Sequence, residues 1–423
     1  MKDIRVIDLS MWFAGPMASR LLGDMGAEII KVESIKHMDP WRGPVSLTEK
    51  QRRRFPERIT TEAPYNAAPG FNLQNRNKRG ITLDLGTRQG KALFKRLVET
   101  ADVVLENYSP KIMGKLGFEY DVLKKVRPDI ILMSMPAFGR TGPDKDYRAF
   151  GQTIDCVSGM AYRTGYEGEE PMLQSGLSYG DPLSGMNAAF AILSALHHRR
   201  KTGEGMHIEL SQVEGLIAFN ADSIMDYTMN GRISERMGNH HPVYAPHNTY
   251  PCSGEDEWVA IAVSSDEEWI RFCQAAEKAH WVDDARFCDV VSRRRNQDEL
   301  DGLIAEWTVL HRAWEIAEIL QQVEVAAGPV LNAKELVEDP HYQSRGFFET
   351  VTHPEAGTHP YIGMYAKFSK TPGSIRTPAP RLGEDNGYVF GELLGLTQDE
   401  MDRLAADGII GTVPSEKQQG GMY

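Results

Sequence analysis

The sequence predicts a doubly wound α/β domain joined to a smaller α+β domain. Short runs rich in Val, Ile and Leu alternate with longer segments in which apolar residues recur at helical spacing. The first strand, helix and strand fit within about 30 residues, the length of a βαβ unit. Such a unit implies parallel strands, and its repetition predicts a Rossmann-like sheet covered by helices on both faces.

The first half of the chain supplies the predicted sheet. The first helix begins at Ala14 and ends at Gly26, and a strongly amphipathic helix covers Gly90–Thr100. A mostly apolar run at Ser211–Tyr227 predicts one long buried helix. Strands are predicted at residues 4–9, 28–32, 80–85, 102–105, 130–135 and 206–210.

The alternation of predicted strands and helices is interrupted at Pro40–Gln74. This irregular segment has several prolines and includes the basic run Arg52–Arg54. Long loops in compact domains are often lids, but a solvated surface insertion fits equally well. The basic cluster Asn75–Arg79 follows, and it suits either a phosphate site or an ordinary solvated turn.

The sequence becomes polar at Asn230–Ala245, with Gly, His and Pro residues, and this change in composition predicts a linker between two domains. Beyond it, a strand at Val259–Val263 and three amphipathic helices predict a smaller domain. The remaining segment, with its last helix at Gln398–Ala406, returns to complete the large domain. The predicted boundaries are therefore 1–228, 229–330 and 331–423.

Composition narrows the function classes. A chain of 423 residues with net charge −12 is long enough for two domains and disfavours nucleic-acid binding. The four cysteines form no CxxC pair, and His240-His241 lack a third ligand, so no metal site is expected. No apolar run is long enough for a membrane span, and no signal-peptide pattern is present. A cytoplasmic enzyme without membrane association is expected.

Several familiar catalytic motifs are missing. The sequence has no GxGxxG after a strand, no GxxxxGK[ST], no HExxH and no GxSxG around Ser178. Their absence disfavours a dinucleotide-dependent dehydrogenase, a P-loop kinase, a zinc protease and a serine hydrolase.

One carboxylate, Asp181, stands out within a glycine-rich stretch in front of an apolar helix. Because Pro182 follows it, the pair also resembles ordinary helix initiation with Asp181 as the N-cap. The surrounding Gly176, Gly180 and Gly185 exceed what one cap requires, and their N–H groups are candidate donors to an oxyanion. Asp181 is therefore a candidate nucleophile.

Motifs along nearly the whole chain resemble the class III CoA-transferases, the family that includes formyl-CoA transferase and the carnitine CoA-transferase (CaiB/BaiF) type. Residues 180–185 match the family's Gly-Asp-x-x-x-Gly. The other motifs that carry the resemblance are VIDLS and AGP, GAEIIKVE, NKRGITLDL, ADVVLENYSP, FGRTGP, RRKTGEGMHIELS and LLGLTQDEMDRLAADGII.

The resemblance implies that Asp181 attacks an acyl-CoA thioester, forms a mixed anhydride and then holds CoA as an aspartyl thioester. A carboxylic acid would accept CoA by the reverse steps, with CoA as a substrate and no other cofactor. The CoA-contacting positions that it implies are Phe13, Ala14, Leu83 to Gly86, Asn107, Lys115 and Arg148.

Two positions depart from the formyl-CoA transferase pattern. Phe13 replaces a glutamine and Phe150 replaces a tyrosine, which suggests an acceptor acid bulkier and more apolar than oxalate, unless both rings only pack. The family also implies a homodimer of interlocked chains.

Two alternatives remain open. An α-methylacyl-CoA racemase shares this fold but needs a proton-transferring histidine where Phe150 stands. A non-catalytic subunit of a heteromeric transferase is the other, although the presence of Asp181 counts against it.

Overall fold

The computed structural model describes residues 1–49, 61–172 and 178–415 and divides into two units. The first unit comprises the described residues within 1–160, 173–228 and 341–423, and the second comprises 161–172 and 229–340. This division differs from the predicted boundaries because residues 161–172 join the second unit, which extends to Pro340. Arg52–Arg54, Gly176 and the last eight residues of the tail lie outside the described residues.

A six-stranded parallel sheet forms the centre of the first unit, with strand order β3-β2-β1-β4-β5-β6. Val6 on the central strand pairs with Ile29 on one side and Val103 on the other. This order confirms the α/β class. The strands are β1 Arg5–Asp8, β2 Glu28–Glu33, β3 Lys78–Thr82, β4 Val103–Glu106, β5 Ile131–Ser134 and β6 His207–Glu209.

Helices connect these strands and continue through the rest of the chain. They are α1 Ala14–Asp24, α2 Pro69–Asn75, α3 Arg88–Glu99, α4 Lys111–Leu116, α5 Tyr120–Val126, α6 Gly151–Val157, α7 Met160–Arg163, α8 Gly180–Thr202, α9 Gln212–Phe219, α10 Ala221–Asn230, α11 Asp266–Ala275, α12 Val290–Arg295, α13 Gln297–Thr308, α14 Ala313–Gln322, α15 Ala333–Glu338, α16 Pro340–Ser344 and α17 Gln398–Ala406. Short 3₁₀ turns occupy Pro40–Arg42, Pro64–Asn66 and Ala279–Trp281, and Gly387–Leu393 is π-helical.

Alternating side chains of the sheet build two separate cores. Ile7 and Ile30 point to one face, where they pack with α3 and with the returning segment through Phe390. Val6 and Ile29 point to the other face, against α1 and α8. Because both faces are covered, the runs Val6–Ile7, Ile29–Ile30, Val103–Leu105 and Ile131–Met133 are apolar on consecutive residues, and this explains why these strands were predictable.

The second unit has its own sheet and core. Its antiparallel strands are β7 His247–Pro251, β8 Trp258–Ala262 and β9 Ala326–Pro329, in the order β7-β8-β9. Trp269, Phe272 and Trp307 lie at the centre of the core that this sheet forms with α11, α13 and α14. A hairpin of β10 Phe348–His353 and β11 Gly357–Ile362 follows in the returning segment of the first unit.

The single long buried helix predicted at Ser211–Tyr227 is wrong. The chain forms α9 and α10 instead, because α9 ends at Asn220, a residue type that favours helix ends. No residue of α10 is buried. Within residues 1–49, 61–172 and 178–415, no helix has the length and apolar character of a membrane span.

Buried ion pairs connect β1, β2 and β3 with the segment after β2. The Lys78 ammonium contacts Asp8 at 2.9 Å, and Lys31 contacts Asp39 at 2.9 Å, with all four side chains inaccessible to solvent. Burial alone would raise the pKa of Asp8. Lys78, Lys31 and the hydroxyls of Ser10 and Ser19 outweigh burial and hold that pKa at about 2. Asp8 therefore stabilises the fold at neutral pH, and this contribution is lost only as the pH falls from about 4 towards 2.

These ion pairs also fix the loop between β1 and α1. Asp8 accepts hydrogen bonds from the Ser10 N–H at 2.9 Å and from the Ser10 hydroxyl, and Lys31 donates to the Ser10 carbonyl at 2.6 Å. Asp39 accepts from the Trp12 N–H at 3.1 Å and helps to hold Trp12 at φ 67°. The backbone that leads into α1 is therefore set by buried charges rather than by side-chain packing alone.

Replacing Lys78 by Met should cost about 3–5 kcal/mol in the free energy of unfolding, because Asp8 keeps its buried charge and loses a bonded cation. Urea unfolding followed by circular dichroism measures the change. The exposed pair Lys334–Glu338 provides the control, since Lys334→Met should leave the unfolding midpoint unchanged. Equal midpoints for both variants would contradict a structural role for the buried pair.

Candidate active site

Asp181 lies in the first turn of α8. The helix begins at Gly180 with Tyr179 as its N-cap residue, so Asp181 is its second residue. The interpretation of Asp181 as an N-cap is therefore wrong. Within the described residues, no hydrogen bond or ion pair engages the Asp181 carboxylate, although its own N–H approaches the Ser178 hydroxyl at 3.4 Å. Its oxygens are therefore not used for capping.

Helix α6 packs against one side of this carboxylate. A side-chain carbon built on Gly151 would lie 2.2 Å from Oδ2 of Asp181 and 2.3 Å from Oγ of Ser178. Position 151 must therefore lack a side chain if Asp181 is to keep this position. One turn further along α6, Asp155 approaches the same helix start.

Asp155 takes up the free N–H groups at the start of α8. Its Oδ1 accepts from the Gly180 N–H at 3.0 Å, and its Oδ2 accepts from the Tyr179 N–H at 3.2 Å. The side chain is only 4% exposed. Gly180 has to be glycine here, because an added carbon would lie 2.7 Å from Ile154.

The surroundings raise the pKa of Asp181. Burial, and after it the charge of Asp155, raise this pKa from 3.8 to about 6. Burial also raises the pKa of Asp155, against the hydrogen bonds from the Gly180 and Tyr179 N–H groups and Ser178. A carboxylate with a raised pKa is more basic, and therefore more nucleophilic, than one in water.

The packing of α8 on α1 places Asp181 at the carboxyl edge of the parallel sheet. A side-chain carbon on Gly185 would lie 2.8 Å from the Ala14 carbonyl oxygen and 3.0 Å from Met17. This close approach brings the first turns of α8 beside the start of α1, which follows β1. Open α/β sheets bind ligands at this edge.

Aromatic rings lie in the same region. Phe150, next to Gly151, is 63% exposed and makes an edge-to-face contact with Trp12 at 5.3 Å between ring centroids. Phe13 makes the same kind of contact with Trp41 at 5.3 Å. The surroundings of the carboxylate therefore combine large apolar surfaces with few polar groups.

Three predicted CoA positions belong to this neighbourhood. Phe13 and Ala14 lead into α1, and Asn107 follows β4 directly. The Asn107 amide bonds the backbone of Met11, accepting at 2.9 Å and donating at 2.7 Å, so it fixes the loop after β1. Asn107 thus has a structural role beside the one predicted for it.

The remaining predicted CoA positions are scattered. Leu83 is buried in the core beneath the sheet, so its side chain is not available to a ligand. Gly86 lines a cavity of about 530 Å³ with Arg88, Lys91 and Lys95.

Lys115 lines a second cavity, of about 410 Å³, together with Lys111, Arg140 and Lys145. Arg148 is exposed and does not line either cavity.

Neither of the described glycines expected to supply an oxyanion donor has a free N–H group. The Gly180 N–H is already bonded to Asp155, and Gly185 lies within α8, where its small size serves packing. Gly176 lies outside the described residues. The roles of Gly151, Asp155 and Ser178 were not predicted, because they arise only where α6 and α8 meet. No local pattern in the sequence marks Asp155 as a cap for a helix that begins 25 residues later.

The described residues contain no cluster that could bind a metal ion. Nowhere in that part of the chain do three or more His, Cys, Asp or Glu side chains come together as ligands would.

A raised-pKa carboxylate at the carboxyl edge of a doubly wound sheet is typical of an α/β enzyme that uses a side-chain nucleophile. Residues 1–386 match the model of CoA-transferase family III, and the chain belongs to that family. It is thus an enzyme that moves CoA between an acyl-CoA and a carboxylic acid.

Relatives of known activity cover almost the whole chain. It is 36% identical to succinyl-CoA--D-citramalate CoA-transferase of Chloroflexus aurantiacus, across 96% of this chain and 97% of the relative. It is 30% identical to a succinyl-CoA--L-malate CoA-transferase alpha subunit of Chloroflexus aurantiacus, across 97% and 92%. A CaiB/BaiF family protein from Brucella suis has a similar structure, with a TM-score of 0.80, 30% identity and coverage of 93% and 98%.

Replacing Asp181 by Asn should stabilise the protein at pH 8. A raised acid pKa means that ionisation destabilises the fold, with the penalty growing between about pH 4 and pH 6 and constant above. Two pKa units correspond to at most about 3 kcal/mol. Urea unfolding at pH 8 should show a gain within that limit for Asp181→Asn, and the gain should disappear near pH 3. The same gain at both pH values would contradict a raised pKa.

Proposed function

We propose that the protein transfers CoA by covalent catalysis with Asp181 as the nucleophile. In the first step, an Asp181 oxygen attacks the thioester carbonyl, the C–S bond breaks, and a mixed anhydride and CoA thiolate form. The thiolate then attacks the Asp181 carboxyl carbon, which releases the donor acid and leaves CoA on the enzyme as a thioester. Two easier steps thus replace one difficult exchange.

The acceptor acid reverses this sequence. Its carboxylate attacks the aspartyl thioester and expels CoA thiolate, giving a second mixed anhydride. The thiolate then attacks the acceptor carbonyl and frees Asp181. No net proton is transferred, so the sequence needs no general acid. It does need protection from water, which would hydrolyse both intermediates.

The observation that supports this proposal most directly is the state of the Asp181 carboxylate. Among the described residues it has no hydrogen-bond partner and no cation, and its pKa is raised to about 6. A structural carboxylate at a helix start would normally bond backbone N–H groups, as Asp155 does here. Asp181 is thus ionised at neutral pH and available for attack.

Asp181→Ala and Asp181→Asn should lower turnover by at least about 10³-fold, because the covalent route is lost. Hydroxylamine added with an acyl-CoA should convert Asp181 of the wild type to a hydroxamate, detected by peptide mass spectrometry. Without acyl-CoA the residue should stay unmodified.

Binding of the acyl-CoA by Asp181→Asn, measured by calorimetry, should remain close to that of the wild type and serves as the folding control. Normal turnover in either variant would overturn the assignment of the nucleophile.

The CoA moiety is proposed to lie along the carboxyl edge of the sheet. Phe13, Ala14 and Asn107 are the proposed contacts near the start of α1. The cavity around Lys115 has four cationic side chains against Glu119 and Asp146, and this excess of positive charge suits phosphate groups. The basic cavity beside Gly86 offers a second phosphate site. Leu83 is buried in the core, so its proposed role is to support the turn that ends at Gly86 and not to contact CoA with its side chain. Arg148, which has an exposed guanidinium, completes the proposed phosphate contacts.

The substrates are proposed to be dicarboxylic. Both transferase relatives described above have names that give succinyl-CoA as donor and a hydroxydicarboxylic acid as acceptor. The Trp12–Phe150 contact near Gly151 offers apolar surface, which favours an acid with a carbon chain over oxalate. Phe13 and Phe150 are then contacts for the acceptor chain.

With succinyl-CoA as donor, C4 and C5 dicarboxylates should accept CoA at least about tenfold better than oxalate in kcat/KM, as expected if about 1.4 kcal/mol comes from buried carbon. Product masses from a panel of acids provide the measurement. Phe150→Tyr should reduce this preference, with Val157→Thr, an exposed position on the same helix, as the control. A faster reaction with formyl-CoA and oxalate would contradict the proposed acceptor class.

A homodimer is also proposed. Helix α10 has no buried residue, yet it carries Ile224, Met225, Tyr227 and Met229, the last of which is 72% exposed. A helix of this length gains little stability alone and requires an apolar partner surface. A second copy of the chain, interlocked with the first, is the proposed partner, and the cytoplasm is the proposed location.

Two other functions receive less support. Among the described residues, the recorded contacts of Asp181 are with Gly151, Ser178 and Asp155, and none of these supplies the imidazole that a racemase needs. One relative is named as an alpha subunit, and activity of the purified chain alone would exclude a heteromeric transferase.

A further inference from the structure

Asp155 is the ionisable group that acts on Asp181 among the described residues. It is buried on α6, and both of its oxygens accept backbone N–H groups at the start of α8. Its partners lie 24 and 25 residues further along the chain, so it is a cap supplied from another helix. The N-cap residue Tyr179 provides no side-chain cap of its own.

The position of this cap has a consequence for Asp181. An acid in the first turn of a helix is normally stabilised by free N–H groups and by the positive end of the helix dipole. Here Asp155 occupies the Tyr179 and Gly180 N–H groups and adds a negative charge beside them. The helix start therefore cannot stabilise the Asp181 carboxylate as it otherwise would.

Glycine positions make this arrangement possible. Gly180 lets Ile154 and Asp155 approach the helix start, with Oδ1 of Asp155 3.4 Å from where a side-chain carbon would be. Gly151 leaves room for the Asp181 carboxylate one turn earlier on α6. The hydroxyl of Ser178 bonds Asp155 and also approaches the Asp181 N–H. One short helix therefore fixes both the backbone and the carboxylate of the nucleophile.

We propose, resting on the assignment of Asp181 as nucleophile, that Asp155 is a positioning residue that fixes the first turn of α8 and keeps the Asp181 carboxylate strongly nucleophilic. Two contributions are separable. The hydrogen bonds hold the helix start in place, and the negative charge destabilises the ionised form of Asp181. A purely structural cap would supply only the first.

Asp155→Asn removes the charge and keeps the shape, and its amide oxygen can still accept one of the two N–H groups. The other hydrogen bond is lost, so the Asp181 pKa, which reports the charge, is the measurement that separates the two contributions. The pKa of Asp181 should fall by about one unit when the like charge is removed. The carboxyl ¹³C resonance of Asp181 in aspartate-labelled protein, assigned with Asp181→Asn, measures this pKa without any assay of activity. In kinetics, kcat should fall about threefold, and by no more than about tenfold, with an unchanged KM for the acyl-CoA, because the rate of attack follows only a fraction of the change in basicity.

Asp289→Asn is the matched control. Asp289 also caps a helix, accepting from the Ser292 N–H at 2.7 Å, but it belongs to the second unit. It should leave both the Asp181 pKa and kcat unchanged. Asp155→Ala, which removes hydrogen bonds and charge together, should reduce kcat further than Asp155→Asn. If the alanine variant does not fold, the asparagine variant alone carries the test.

An unchanged Asp181 pKa in Asp155→Asn would overturn this proposal while leaving the nucleophile assignment intact. Full activity in Asp181→Asn would instead overturn the nucleophile assignment, whatever the resonance of Asp181 shows. The two failures are therefore distinguishable.

Discussion

A cluster of buried charges that connects β1, β2 and β3 is the constraint on which the site depends. Asp8, Lys78, Lys31 and Asp39 are inaccessible to solvent, and each has an oppositely charged partner. Moving such charges out of water is costly, so the arrangement survives only with well-made contacts. The charge cluster makes the loop after β1 rigid, because it forms hydrogen bonds with the backbone of Ser10 and Trp12.

The nucleophile depends on that loop through packing. Helix α1 starts where the loop ends. Helix α8 packs closely against α1 because Gly185 has no side chain that would collide with the Ala14 carbonyl. A shift of the loop would therefore move the first turn of α8. Helix α6 fixes the other side of Asp181 through Gly151 and Asp155, so the carboxylate is held between two independently anchored elements.

Much of the first unit was predictable because the strands at the centre of its sheet are covered on both faces and carry consecutive apolar residues. Ile29 and Ile30 face opposite cores, and such runs leave a strong signal in the sequence. The two-helix arrangement of α9 and α10 was missed because an apolar run does not show whether a partner in the same chain will cover it. Asp155 was missed for another reason, since a cap that reaches 25 residues along the chain leaves no local pattern. Asp181 was predicted as a nucleophile from its glycine-rich surroundings and from the family resemblance, while its spacing alone favoured the incorrect N-cap interpretation.

The missing side chain at Gly151 has a stereochemical consequence. Oδ2 of Asp181 faces Gly151 closely, and we therefore expect Oδ1 to be the oxygen that attacks a substrate carbonyl. In the proposed sequence, the attacking oxygen leaves with the donor acid and is replaced by one from the acceptor. If the carboxylate keeps its orientation through turnover, an ¹⁸O-labelled acceptor would pass its isotope to a single position on the enzyme, and the inner oxygen would never exchange.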